Sequence, residues 1–304
     1  MANSINYAEV WRPELIEQLT GGLYTAPFVV PNVKWTGAKT FHFTELSVGG
    51  YKDHSRNGGW NRGAVAETDR EYTVQHDRDI EFLVDKADVD ESGLTARVQN
   101  ISMAFVNTQQ IPEMDSYFFE TVCKEARGEY KTRTKAADIT PATVVPYLKK
   151  IFKTGGLRRY KAKGLLIAYV SSHVMDCLEL STDFQRTIPV VGITPAGNSV
   201  NTRIASLDGV TLMEMIDDDR FATKFDYTDG CEKHSSAEDL NVVVCAKGKV
   251  VTVPKISSIY YFKAGEHTCG DGDLYQNRSM WDTFVLPNGK KIDGVAVDTL
   301  DTSI

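Results

Sequence analysis

Two short patterns place potential zinc ligands close together in the sequence. Cys231 and His234 are separated by two residues, and His267 and Cys269 by one. Two thiolates and two imidazoles would complete a tetrahedral zinc site. The second spacing is tighter than the usual ligand spacing, so ordinary loop residues are the simpler interpretation. A metal-binding enzyme of the α+β class remains the alternative that these residues leave open.

Another pattern imitates the first half of a calcium-binding loop. Asp88, Asp90 and Ser92 alternate as the first ligands of such a loop do, and Gly93 follows at the turn. Position twelve, which supplies a bidentate glutamate, is Gln99, so we interpret the carboxylates as a helix cap. The strongest nucleotide, hydrolase and zinc-protease motifs are absent from the sequence. We therefore predict no catalytic residue, no metal site and no cofactor.

Composition and charge limit the class of protein. The 304 residues include 34 basic and 41 acidic side chains, for a net charge of −7. The longest apolar run, residues 165–170, is far shorter than the roughly 20 residues that cross a bilayer. The five cysteines are scattered, which favours free thiols in a reducing compartment. We expect neither a membrane protein nor one that grips nucleic acid over its whole surface.

The charge is unevenly distributed along the chain. Residues 121–163 hold twelve basic and three acidic side chains, a net charge of +9, so the remaining residues carry −16. Such a region is typical of a charge-complementary contact between copies or of a patch near nucleic acid, and solvated helix faces remain the plain alternative. The contact residues that we predict in this region are Lys149, Lys150, Arg158 and Arg159.

A long hairpin is predicted near the start of the chain. Residues 40–46 alternate as a half-buried strand, and residues 70–74 are a plausible partner strand. About twenty glycine-rich residues separate the two strands. Because Trp, Tyr and Arg dominate protein interfaces, we predict that the hairpin tip contacts another chain, and a disordered surface loop is the alternative. The predicted contact residues of the tip are Tyr51, Lys52, Arg56, Trp60 and Arg62.

The elements that must position these groups follow from periodicity. Apolar stripes in residues 94–105 and 111–122 predict one long bent helix or two helices end to end. A helix over residues 143–152, a strand over 165–170 and a helix from 171 or 172 to about 180 indicate a compact α/β unit. Short strands follow, with separate strands predicted at 250–253 and 259–262.

Several local motifs occur in an order that resembles a known family. They are WTGAKT at 35–40, DRDIEFLVDKADVDE at 77–91, IPEMD at 111–115, RI at 203–204, LDGV at 207–210 and NRSMWDTFVL at 277–286. In this order, with an extended arm before them and a glycine-rich hairpin between the first two, they resemble the major capsid proteins of tailed bacteriophages and prophages. Those proteins have the Hong Kong 97 fold, and the resemblance covers nearly the whole chain.

The resemblance implies an α+β chain divided as that fold is divided. Residues 1–38 would be the N-terminal arm and 39–77 the E-loop hairpin. Residues 78–130 would hold the long spine helix in the peripheral domain, and 131–255 would be mainly the axial domain. Residues 256–304 would be C-terminal strands that complete the peripheral domain.

The function implied is structural, and no catalysis is expected. Copies would assemble in the bacterial host cytoplasm as hexamers and pentamers, forming the icosahedral capsid of a virion around double-stranded DNA without sequence-specific binding. Strand-forming sequence begins near residue 40, so a separate scaffolding protein is expected, together with a portal. An encapsulin-like shell that holds protein cargo is the alternative of the same fold.

Overall fold

The computed structural model describes residues 22–30, 33–54, 58, 60–85, 98–181, 205–263, 265–268, 270–287 and 292–303. Within these ranges strands and helices are interleaved, as the α+β prediction requires. The helices are α1 (Val98–Phe105), α2 (Ile111–Glu125), α3 (Val144–Phe152), α4 (Leu157–Lys161) and α5 (Ser172–Leu180). The strands are β1 (Thr40–Val48), β2 (Val65–Thr73), β3 (His76–Asp85), β4 (Lys131–Thr134), β5 (Leu166–Ser171), β6 (Ala205–Leu207), β7 (Val210–Met215), β8 (Phe225–Asp226), β9 (Glu232–Lys233), β10 (Leu240–Ala246), β11 (Val250–Phe262), β12 (Gly272–Val285) and β13 (Val295–Leu300).

Helices α1 and α2 form one continuous helical run. They are joined by a π-helical turn, Val106–Gln110, and the flanking residues Phe105 and Ile111 both keep right-handed helical dihedrals. Pro112 lies directly after this turn. Proline lacks the amide hydrogen that a helix interior needs and crowds the preceding turn, which the wider π turn accommodates. Of the two arrangements predicted, the single run is the one observed.

A six-stranded mixed sheet is sandwiched between helices. Its strand order is β4-β13-β10-β5-β7-β6, with β13–β4 and β5–β7 parallel. Alternate residues of β10 point to opposite faces of the sheet. Val242 and Val244 pack with α3, α4 and α5 on one face. Val243 and Cys245 pack with α2 on the other face. Because both faces are covered, all seven residues of β10 are buried, which is why six of them are apolar and only Asn241 is polar.

The last strand differs from the prediction. Residues 256–304 were expected to complete one domain together, yet β13 pairs with β10 and β4 in the six-stranded sheet. The reason is burial: Val295 and Val297 are almost fully buried in the core under α2, where β13 pairs with β10. The C-terminal segment is therefore divided between two sheets.

Strands β11, β12 and β3 form a second, antiparallel sheet in that order. Two separate strands were predicted within residues 250–262, but β11 is one strand of 13 residues. Its register against β12 shifts between Pro254 and Ile256, so the proline is accommodated by an irregularity instead of ending the strand.

None of the helices in the described ranges is long and apolar enough to cross a membrane.

Asp298, on β13, is fully buried and holds several elements together. Its carboxylate accepts hydrogen bonds from Thr134 Oγ1 at 2.9 Å, Tyr147 Oη at 2.7 Å and Asn241 Nδ2 at 2.9 Å, and also from Thr132 Oγ1. These donors belong to β4, α3 and β10. Burial, followed by the nearby Asp298 charge, raises the pKa of Tyr147. The edge of the sheet thus depends on one carboxylate.

We expect Asp298→Ala to lower the free energy of unfolding by about 3 kcal/mol, because several buried donors lose their acceptor at once. Urea denaturation of the unassembled chain, followed by circular dichroism, measures the change. The exposed Asp229→Ala is the matched control and should differ from wild type by less than about 0.5 kcal/mol. Equal losses in the two variants would contradict the assigned role of Asp298.

Candidate assembly surface

The base of the β1–β2 hairpin is fixed to the body by aromatic packing. Phe41 is fully buried; its ring stacks on Tyr72 at 5.7 Å and meets Trp35 and Phe284 edge-on at 5.5 and 5.2 Å. Phe284 belongs to β12, so these contacts join the hairpin to the three-stranded sheet. The predicted strand pairing is confirmed, with a register that runs without a shift for nine residue pairs.

Beyond the strands, the tip is closed by its own polar groups. Gly49 N donates to Ala64 O at 2.7 Å, and Asn61 Nδ2 donates to Asp53 O at 2.8 Å. Every described residue between 48 and 65 is exposed. The described residues of the tip therefore bond to one another and none of them is buried.

Four of the five predicted contact residues lie together on this tip, and Arg56 lies outside the described residues. The Tyr51 and Trp60 side chains are fully exposed, with relative exposures of 110% and 95%. Lys52 Nζ donates to the carbonyl of Arg62 at 3.5 Å, which holds the two cationic residues side by side. The arrangement leaves an aromatic and cationic surface with no partner in the described part of the chain.

Helix α2 anchors the segment that precedes the hairpin. Asp115 is fully buried and accepts hydrogen bonds from Thr25 N at 3.0 Å, Thr25 Oγ1 at 2.8 Å and Tyr24 N at 3.2 Å. The guanidinium of Arg220 lies 3.7 Å from the same carboxylate. Burial raises the pKa of Asp115 to about 6, against the opposing effects of Thr25 and Arg220.

These contacts correct part of the predicted arm. Residues 1–38 were expected to extend from the body, but Phe28 is almost fully buried in the core beside Phe118 and Tyr169. Val30 N also donates to Thr252 O at 2.9 Å. The last part of the arm is thus packed on its own chain because an aromatic anchor and a buried carboxylate hold it; residues 1–21 lie outside the described ranges.

Two more acidic side chains of α2 reach other parts of the fold. Glu113 Oε1 lies 2.8 Å from His76 Nε2 and 2.9 Å from Arg78 Nε, both on β3. Glu120 accepts a hydrogen bond from the Tyr227 hydroxyl at 2.8 Å. The helix is therefore bound to the second sheet and to the β8–β9 region by ionic and hydrogen-bonded contacts.

Sequence reasoning missed these anchors, although one signal was present. Asp115 falls at helical spacing between Ile111 and Phe118, on a face where only apolar residues are expected. A carboxylate at such a position predicts a buried polar partner. The partner, Thr25, lies 90 residues away in the sequence, and no local pattern points to it.

The predicted basic contact residues lie on a different part of the fold from the hairpin tip. We call the basic ridge the set of cationic side chains on α3, α4 and their flanks. Beneath it, Leu148, Phe152 and Leu157 are fully buried against the six-stranded sheet. The basic ridge comprises Lys149, Lys150, Lys153, Arg158, Arg159 and Lys163.

The potential metal ligands have other partners. Cys231 lies near α2, where burial raises the pKa of its thiol to about 11. His234 Nδ1 accepts from Ser236 N at 3.1 Å, and His267 Nε2 bonds to Gly272 O at 2.7 Å. Within the described part of the chain, no three His, Cys, Asp or Glu side chains come together as metal ligands. Cys269 and the calcium-like segment up to residue 97 lie outside it.

Comparisons with known proteins give a result at the level of structure. No family model and no curated protein matches the sequence. The structure is similar to the capsid structure of the cyanophage P-SCSP1u, with a TM-score of 0.67 and 12% identity over 100% of this chain and 92% of that chain. It is also similar to the mature capsid of bacteriophage PhiM1, with a TM-score of 0.62 and 13% identity over 100% and 92%.

A structure of Mycobacterium phage Che8 gives a further match, with a TM-score of 0.55 and 14% identity over 98% of each chain. The likeness therefore spans the whole chain and almost all of each matched chain. The chain has the fold of phage major capsid proteins, which confirms the α+β class and the resemblance found in the sequence.

The raised pKa of Asp115 makes stability depend on pH in a defined direction. Because the folded-state pKa of about 6 lies above the unfolded value, the contribution of the neutral carboxyl is fully present below about pH 4 and is lost as the pH rises through 6. Between pH 4 and 7, we expect wild type to lose about 2 kcal/mol of stability relative to Asp115→Asn, which cannot ionise.

Urea unfolding of both proteins across this pH range measures the difference. Asp229→Asn, at an exposed position, is the control and should track wild type at every pH. A constant difference between wild type and Asp115→Asn would show that the carboxyl keeps its ordinary pKa.

Proposed function

We propose that this chain is the major capsid protein of a tailed bacteriophage or prophage. The observation that carries the proposal is the full-length likeness to phage capsid structures, joined to a hairpin with a fixed base and an unpartnered tip. Copies would self-assemble as hexamers and pentamers into an icosahedral shell that encloses double-stranded DNA. The role is structural, without a catalytic step.

The hairpin tip supplies the contact between copies. An aromatic side chain buries about 150–250 Å² at an interface, so covering Tyr51 and Trp60 on a neighbour favours association by several kcal/mol per tip. Arg62 and Lys52 beside them orient the contact through charge. Since each copy offers a tip and accepts one elsewhere on its surface, the contact is head-to-tail, and such contacts close into rings.

We propose the domain division that the sequence predicts, with one change. We assign residues 39–77 to the E-loop, β3 and the α1–α2 run to the peripheral domain, and the six-stranded sheet with α3–α5 to the axial domain. The change is that β13 belongs to the axial sheet. The remaining partners are a scaffolding protein, a portal and the packaged DNA, with assembly in the host cytoplasm and the virion capsid as the final location.

A double substitution tests the hairpin contact. We expect Trp60→Ala with Arg62→Ala to leave the chain folded, because both side chains are exposed and support no core. Shell formation should fall at least tenfold, since a few buried aromatic and arginine side chains dominate interface energy. Particle yield is counted by negative-stain electron microscopy, and circular dichroism reports folding.

The matched control removes one exposed apolar and one exposed cationic side chain elsewhere. Ile216→Ala with Lys224→Ala meets this description, because Ile216 is 62% exposed and Lys224 is also exposed. Unchanged particle yield in the Trp60 and Arg62 variant would remove the hairpin contact. Absence of particles from wild type, expressed alone and with its neighbouring genes, would remove the capsid function.

A further inference from the structure

The basic ridge is a set of cations without an ion-pair partner among the described residues. Within the described residues, no carboxylate lies within ion-pairing distance of its six members; the neighbouring Lys161 is instead paired with Asp208 at 3.0 Å. The hydrogen bond from Lys161 holds the pKa of Asp208 below its usual range, so this aspartate stays ionised. Lys149 and Lys153 also contribute to lowering the pKa of Asp208, so this one carboxylate offsets part of the positive charge, and the six-member ridge keeps a net positive charge.

The ridge is also held in a fixed shape. Gly155 has φ = +49°, and a Cβ there would overlap the hydroxyl of Tyr130. The same hydroxyl accepts a hydrogen bond from Gly156 N at 3.1 Å, and Tyr160 donates to the buried Asp293 at 2.9 Å. These contacts fix the turn between α3 and α4, so the cations are presented on a scaffold that needs no reorganisation on binding.

The surface lacks what a protein interface needs. None of the exposed large apolar side chains in the described residues falls between residues 121 and 163. Protein interfaces have an apolar core of aromatic and aliphatic anchors, and exposed ion pairs alone contribute little. By contrast, binding to a phosphate backbone needs only positioned Lys and Arg side chains, because affinity arises from the release of counterions.

We propose that the basic ridge binds the phosphate backbone of double-stranded DNA, without reading its sequence. The inference rests on the proposed function, which supplies DNA as the polyanion in contact with the chain. The residues outside 121–163 carry a net charge of −16, which disfavours contact with DNA over most of the surface. A charge-complementary contact between copies is the competing outcome of the test.

The test measures binding of the purified full-length chain to a random-sequence duplex of about 30 base pairs by fluorescence anisotropy. Four phosphate contacts predict an affinity that falls on the order of 100-fold between about 50 and 200 mM salt. The ridge variant carries Lys149→Gln, Lys150→Gln, Arg158→Gln and Arg159→Gln. It should bind at least about tenfold more weakly at low salt. The slope of the logarithm of the binding constant against the logarithm of the salt concentration should be smaller in magnitude by about four.

The control variant removes the same net charge from exposed positions elsewhere. It carries Lys34→Gln, Lys224→Gln, Lys247→Gln and Lys263→Gln and should keep the wild-type slope. Circular dichroism checks folding; if the fourfold ridge variant is unfolded, the pairs Lys149/Lys150 and Arg158/Arg159 are tested separately, each with an expected loss of about two in slope.

Equal slopes in the ridge and control variants would overturn the proposal, as would a wild-type chain that does not bind the duplex. A ridge variant that binds DNA normally but no longer forms particles would overturn it in favour of a contact between copies. Particle formation by wild type is scored separately, so the capsid function stands or falls on its own result.

Discussion

The burial of helix α2 on most of its surface is the constraint on which the structure depends. Phe118, Phe119 and Val122 supply the apolar contact with the six-stranded sheet. The same helix also buries Glu113 and Asp115, and buried carboxylates destabilise a fold unless donors surround them. The donors come from the end of the arm, from β3 and from Arg220. Their bonds to the two carboxylates hold these segments in one arrangement around the helix.

That arrangement explains why the hairpin can be anchored at one end and unpartnered at the other. Its base shares the core of the three-stranded sheet through Phe41, so the strands leave the body in a fixed direction. Its tip uses Asn61 to satisfy its own backbone and leaves Trp60 exposed. A hairpin whose base is fixed needs less ordering when it binds a partner, which suits the proposed contact between copies.

The local sequence pattern was sufficient to predict most helices and strands, but it was insufficient to predict which strands pair with one another. Periodicity predicted β7 and α5 nearly residue for residue, because each is amphipathic or apolar over its own length. It divided β11 at Pro254, since the irregularity that tolerates this proline depends on pairing with β12. The family resemblance, in turn, assigned β13 to the other domain, because its position is fixed by pairing with β10, about fifty residues earlier in the chain.

The distribution of charge was also only partly predictable from the sequence. The net charge of +9 over residues 121–163 is visible in the sequence. The sequence does not show that Lys161 forms an ion pair with Asp208, or that Arg133 forms one with Glu238. These ion pairs cancel the charge of Lys161 and Arg133, and the cations of the basic ridge remain on α3, α4 and their flanks. An acidic chain with a localised cationic surface attracts a polyanion weakly, which suits the proposed role of a container that holds DNA without adhering to it everywhere.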